Sequence, residues 1–113
     1  MAEKVFELNG KAKSIKRTMD NLYKGYTFQE EMGELVKSND AADITSDDYD
    51  PSAYFAMQKK ILNKKIEFLS PFFVIPEKSF GELDPVEVNE VCDDIYLFLI
   101  GNISADGEES GEE

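Results

Sequence analysis

The amino-acid sequence predicts a mainly α-helical domain with a short N-terminal β-hairpin and a disordered acidic C-terminal tail. Three features predict it: an Asn-Gly pair between two short apolar-polar segments, apolar residues recurring at helical spacing further on, and a terminal stretch of Gly, Ser and acids with nothing to bury. The 113 residues fit one domain, read as residues 1–103, followed by the tail 104–113. Hydrophobic residues make up 42% of the chain and aromatics 12%, enough apolar side chain to offset the ordering entropy of a folded domain.

The hairpin is predicted by Val5-Phe6-Glu7-Leu8, then Asn9-Gly10, then Lys11 to Lys16, because a two-residue turn needs positive φ at both central residues and Asn and Gly tolerate it best. A two-stranded ribbon is marginal alone, so Phe6, Leu8 and Ile15 are expected to pack against a helix. A short helix over Thr18–Tyr26 is expected to end near Gly25. Thr27-Phe28-Gln29-Glu30 has capping-box spacing, and Phe28, Met32, Leu35 and Val36 follow at helical spacing, which places a second helix at about 28–37.

Residues 38–50 carry five aspartates and no basic residue, and read as a solvated loop. Asp40, Asp43, Asp47, Asp48 and Asp50 lack the central Gly and terminal Glu of a calcium loop, so no metal site is assigned. Asp50-Pro51 or Ser52 caps the next helix, placed at about 52–69, with Tyr54, Phe55, Met57, Ile61, Leu62, Ile66, Phe68 and Leu69 covering half its circumference. Lys59, Lys60, Lys64 and Lys65 read as its solvated side, with pairing to the aspartate loop as a further use.

Pro71 is expected to end that helix and leave Phe72-Phe73-Val74-Ile75-Pro76 extended, either as a crossover plugging the core or as an exposed contact patch. Asp84-Pro85-Val86-Glu87 then combines an acidic cap, a proline at the first helical position and a capping-box glutamate. Val88, Val91, Cys92, Ile95 and Leu99 form one stripe of this last helix, which Gly101-Asn102 ends. Its second half, Ile95-Tyr96-Leu97-Phe98-Leu99-Ile100, is apolar on every side, as either a buried helix or a self-association surface requires. The candidate partner-binding residues are therefore Phe72, Phe73, Val74, Ile75, Tyr96, Leu97, Phe98 and Ile100.

Charge and composition narrow the function classes. The net charge is −12, and residues 71–113 hold Lys78 alone against 12 acids, so the surplus sits in the C-terminal part. Such a chain is repelled by nucleic-acid phosphates and anionic lipid, and neither is expected as a partner. No apolar run reaches the roughly 18 residues needed to span a bilayer, and the first residues lack the order of a signal peptide, so a cytoplasmic protein is expected. With no histidine, Ser-His and Cys-His nucleophilic systems are excluded. Cys92 reads as a small core residue, the glycines form no phosphate loop, and neither an enzyme nor a cofactor is expected.

The order Phe6-Glu7-Leu8-Asn9-Gly10-Lys11, a helical region near Met19–Lys37, two amphipathic helices and an acidic C-terminus resembles the tail assembly chaperones of long-tailed bacteriophages along most of the chain. That resemblance implies a non-catalytic protein, in the host cytoplasm, that binds the long helical tape measure protein, keeps it soluble and helps recruit tail tube subunits. It also implies that a longer frameshifted product, extended near the C-terminus of the short form, can accompany it. An alternative from another class is an acidic inhibitor that imitates the phosphate backbone of nucleic acid and blocks a DNA-binding protein, motivated by the acids of residues 71–113. Mimicry needs carboxylates fixed at regular spacing, whereas five of these acids lie in the Gly/Ser-rich tail.

Overall fold

Residues 2–37, 45 and 47–103 are described by a computed structural model. Two antiparallel strands, β1 (Glu3–Leu8) and β2 (Lys11–Lys16), precede α1 (Met19–Lys37), α2 (Pro51–Phe73), a 3₁₀ turn at Glu77–Glu82 and α3 (Pro85–Leu99). The molecule is mainly helical with an N-terminal hairpin, as the sequence predicts. Most of the aspartate loop (38–44 and 46) and the tail (104–113) lie outside the described residues.

Asn9 (φ 53°) and Gly10 (φ 79°) both take left-handed backbone, which is what a two-residue turn with the twist of its strands demands. That turn sets the register: Leu8 opposes Lys11, Phe6 opposes Lys13 and Lys4 opposes Ile15. One face of the ribbon thus alternates apolar groups with lysines, and Phe6, Leu8 and Ile15 are the three that are buried. The lysines keep their charges at the edge; Lys11 Nζ donates to Val74 O at 3.3 Å.

The break expected at Gly25 does not occur, and α1 runs unbroken through it. Its cap is Thr18, whose Oγ1 accepts from Asn21 N at 3.1 Å and whose carbonyl accepts from Leu22 N at 2.9 Å. Thr27 consequently sits inside the helix and caps nothing. A helical glycine costs about 1 kcal/mol relative to alanine, a weak preference that tertiary packing overrides. Here the packing is with α3: a Cβ at Gly25 would lie 3.5 Å from Tyr96 Cδ1 and 3.7 Å from Leu99 Cδ1, so one methyl fits and a larger group displaces Tyr96.

Asp50 caps α2, its Oδ1 accepting from Ser52 N at 3.0 Å, with Pro51 at the first helical position. The expected stop at Pro71 is also corrected. The helix continues to Phe73 and ends at Val74 in the left-handed region, with the N–H groups of Val74 and Ile75 both returning to Ser70 O. A proline inside a helix costs about 3 kcal/mol, through the lost backbone hydrogen bond and the clash of its ring with the carbonyl four residues back. Continuing the helix instead buries Phe73 completely and sets Phe72 edge-on against Phe68 at 5.4 Å, and burying one such ring contributes about 1.5–3 kcal/mol. The burial of Phe73 together with the Phe72–Phe68 contact offsets the breaker.

Val74 holds φ 55° and ψ 42° while 67% exposed. Left-handed backbone strains a Cβ-bearing residue by roughly 1–2 kcal/mol, and glycine carries no such strain. Val74→Gly is therefore expected to raise stability by about 1 kcal/mol in urea unfolding, after allowance for the greater chain entropy of glycine.

The predicted stripe of α3 is buried as one unit: Val88, Val91, Cys92, Ile95 and Leu99, joined by Phe98. Asp84 caps it through Oδ1 to Val86 N at 2.9 Å. Glu87 does not close the expected box; its Oε2 accepts from Asn9 N at 3.2 Å and ties the start of α3 to the hairpin turn. At the other end Gly101 takes φ 90°, which lets Asn102 N return to Leu97 O at 2.8 Å.

Arg17 locks the far side of the fold. Its Nε donates to Phe98 O at 2.8 Å, beside the bond that carbonyl already takes from Gly101 N, and its Nη2 donates to Ile103 O at 2.7 Å beyond the helix end. The guanidinium lies 4.5 Å from the centre of the Phe98 ring, and Arg17 N donates to Ala2 O at 2.7 Å. A single residue, through its backbone N–H and its guanidinium, thus joins hairpin, α3 and the segment that follows. The core it closes gathers Phe6, Leu8 and Ile15 of the ribbon, Phe28 of α1, Phe68, Leu69 and Phe73 of α2, Phe80 of the 3₁₀ turn and the α3 stripe.

Candidate functional site

The eight apolar residues singled out from the sequence separate into two groups at the C-terminal ends of α2 and α3. Phe73 and Phe98 are wholly enclosed: Phe73 belongs to the core, and Phe98 meets Phe6 edge-on at 5.7 Å beneath Arg17. Neither offers surface to a partner in this conformation. Val74 is exposed, whereas Phe72, Ile75, Tyr96, Leu97 and Ile100 are partly buried, Tyr96 over Gly25 and Ile75 against the core. Residues 72–76 are thus divided: Phe72 and Phe73 continue α2 rather than running extended, Phe73 is in the core and Val74 is exposed.

Cys92 is fully buried, and removal from solvent pushes its thiol up to about 12, with Lys65 opposing and Asp93 adding to the shift. At pH 8 such a thiol is thiolate in about one part in ten thousand. Native protein is accordingly expected not to react with a thiol reagent such as DTNB over an hour, and to react within seconds once unfolded in urea. Since the unfolded chain loses this proton nearer the ordinary value of 9.0, stability is expected to fall as pH rises above about 9.

The lysines of α2 divide by contact. Lys64 Nζ lies 3.3 Å from Glu31 Oε1 and 3.6 Å from Glu67 Oε1, and the hydrogen bond to Glu31, followed by the charge of Glu67, raises its pKa. Lys65 Nζ donates to Asn89 Oδ1 at 2.9 Å, bridging α2 to α3. Lys59 and Lys60 are exposed.

Where α1 and α2 lie side by side they leave an open, largely apolar cleft of about 370 Å3. On the α1 side it is lined by Tyr23, Lys24, Thr27, Phe28 and Glu31, and on the α2 side by Lys64, Glu67, Phe68, Pro71 and Phe72. Both sets recur at intervals of three and four, so each is one helical face. The floor is aromatic: Phe28 and Phe68 stack at 4.5 Å with 13° between their planes, and Phe72 stands against Phe68. Lys24 Nζ lies 5.6 Å from the Phe72 ring centre, and Tyr23 at the rim is 73% exposed. Thr27, short and midway along the α1 wall, leaves the volume open.

A second hollow of about 310 Å3 shares Lys24, Pro71 and Phe72 and adds Ser14, Ile15, Lys16, Thr18 and Asn21, so the groove continues to β2. Of the eight sequence candidates, Phe72 alone lines either hollow. Reading α1 as two helices separated Tyr23 and Lys24 from Thr27, Phe28 and Glu31, and the shared face went unseen. The signal that finds it is the i, i+4, i+8 spacing of Tyr23, Thr27 and Glu31, continued through a tolerated glycine.

Among the described residues, no cluster of three or more Cys, Asp and Glu side chains is arranged to hold a metal ion, and no helix is long and apolar enough to cross a membrane. No curated protein and no solved structure gives a significant match to this sequence. The family profile described as phage tail assembly chaperone proteins, TAC, matches residues 1–106. The element order from hairpin to α3 falls within that span. The chain therefore belongs to the phage tail assembly chaperone family, whose members act with protein partners in building the tail.

Proposed function

We propose that the chain is a non-catalytic chaperone that binds the tape measure protein of a long-tailed phage, keeps it dispersed, and recruits tail tube subunits onto it. The observation that carries the reading is the open aromatic cleft between α1 and α2, a surface suited to the apolar face of a partner helix on an otherwise acidic body. Exposed Val74 at the end of α2 adds apolar area close to it. The tail, residues 104–113, carries five acids, and we take it to keep the complex dispersed while residues 1–103 fold as one unit. Family membership favours this reading over inhibition of a DNA-binding protein by charge mimicry.

The test is co-expression with the tape measure protein of the same phage. Soluble tape measure that copurifies with the chain, and captures tail tube subunits only in its presence, is the expected result. A tape measure protein equally soluble and equally active in capture without the chain contradicts the proposal.

A further inference from the structure

Resting on the chaperone reading, the chemistry of the groove narrows the kind of segment it accepts. We propose that the groove between α1 and α2 takes an amphipathic helix that inserts an apolar side chain over Phe28, Phe68 and Phe72 and places carboxylates of its flank against Lys24.

Local charge sets which flank the groove accepts. At the far end of the groove Lys64 already has two carboxylate partners, Glu31 at 3.3 Å and Glu67 at 3.6 Å, so that end is balanced. At the end nearer the hairpin the lining includes the ammonium groups of Lys16 and Lys24 and no carboxylate; Glu3, opposite Lys16 across the ribbon, accepts from Ser14 Oγ at 2.6 Å behind it, which leaves Lys24 as the charge an occupant meets. A molecule with a net charge of −12 therefore carries, at this end of one apolar groove, a locally positive lining. Salt at physiological strength screens charges beyond about 8 Å, so contact at the groove, rather than the distant acids, decides which flank is accepted. The apolar part of the occupant meets a ready-made box: Phe28 stacked on Phe68, Phe72 at 77° to Phe68, and Pro71 beside them. A polar or basic segment gains nothing from that floor, and an apolar segment without acids adds no charged partner for Lys24, which lies over the Phe72 ring.

The prediction runs against the overall charge, which makes it discriminating. A fluorescein label on a synthetic peptide reports binding by its anisotropy, whatever aromatic residues the chain carries. Two 18-residue amphipathic peptides with the same apolar stripe, one flanked by Glu and one by Lys, are titrated with the whole chain in 150 mM salt. The Glu-flanked peptide is expected to bind at least tenfold more tightly. Lys24→Glu, on the surface of α1, is expected to abolish or reverse that preference, and Thr27→Trp, which fills the cleft, to weaken the Glu-flanked peptide at least tenfold while the circular dichroism spectrum stays native.

A Lys-flanked peptide that binds equally or better overturns the proposal, as does unchanged binding in natively folded Thr27→Trp. Self-association that is lost in Thr27→Trp, with neither peptide bound, assigns the groove to a second copy and also overturns it. The chaperone reading fails separately: wild-type chain that binds the Glu-flanked peptide but leaves the tape measure insoluble keeps the groove and removes the function, whereas tape measure capture unaffected by Thr27→Trp keeps the function and removes the groove.

Discussion

Phe98→Ala is expected to lower the unfolding free energy by about 4 kcal/mol, within the range of roughly 3–5 kcal/mol found when a buried Phe or Trp is truncated to alanine. Phe98 is 0% exposed, lies edge-on to Phe6 at 5.7 Å and carries the Arg17 guanidinium over its face. Its removal empties a site bounded by the ribbon on one side and α3 on the other, where backbone hydrogen bonds hold both elements in place and limit collapse. Such a loss is a large share of the roughly 5–15 kcal/mol typical of a whole domain. Urea unfolding followed by far-ultraviolet circular dichroism measures it. A change below 1 kcal/mol would mean that the helix end is loosely packed and that Phe98 belongs to a contact surface after all.

Arg17→Ala is the second large effect, expected at about 3 kcal/mol, because hydrogen bonds involving a charged group contribute about 1.5–3 kcal/mol each and the ring contact about 0.5–2 kcal/mol, partly offset by new solvation of the freed carbonyls. Phe98 O keeps its bond from Gly101 N at 3.1 Å when the guanidinium is removed, so the larger loss is at Ile103 O and in the segment that Arg17 ties back to α3. Arg17→Lys keeps the charge but not the planar fork, and is expected to recover less than half of the loss. Coupling is the sharper check. With the ring gone, the guanidinium has less to lose, so Arg17→Ala in a Phe98→Ala background is expected to cost about 1 kcal/mol less than in the wild type. Strict additivity in that double-mutant cycle would remove the stacking from the account.

These residues mark where local pattern is legible in sequence and where it is not. The hairpin was legible because Asn9-Gly10 specifies a backbone conformation that few other pairs adopt, and the buried set Phe6, Leu8 and Ile15 follows from alternation alone. So was α3, whose start is written three times over, in Asp84, Pro85 and the apolar stripe from Val88. Gly25 and Pro71 misled for one shared reason. Each is a local breaker worth about 1–3 kcal/mol, and each is overridden by partners distant in sequence: Tyr96 and Leu99 over Gly25, and the core around Phe73 beyond Pro71.

The cleft was less legible still, since it exists only where residues 23–31 meet residues 64–72. Its most informative feature, the contrast between balanced Lys64 and the lysines near the hairpin, depends on which carboxylates fold nearby. A linear count of charge records the excess of acid and hides the basic end of the groove. The Arg17 clamp was invisible for the same reason: a lone arginine after a strand carries no pattern, and its partners lie 81 and 86 residues away.

The central proposal is that a partner covers the aromatic floor of the groove. Nuclear magnetic resonance spectra of the chain with its phenylalanine rings isotopically labelled, recorded free and bound to tape measure protein, test that directly. The account predicts that the ring signals of Phe28, Phe68 and Phe72 move on binding, together with the backbone amides of Tyr23 and Thr27, while Phe6 and Phe98 stay in place. Unmoved signals at all three floor rings in a saturated complex would contradict it.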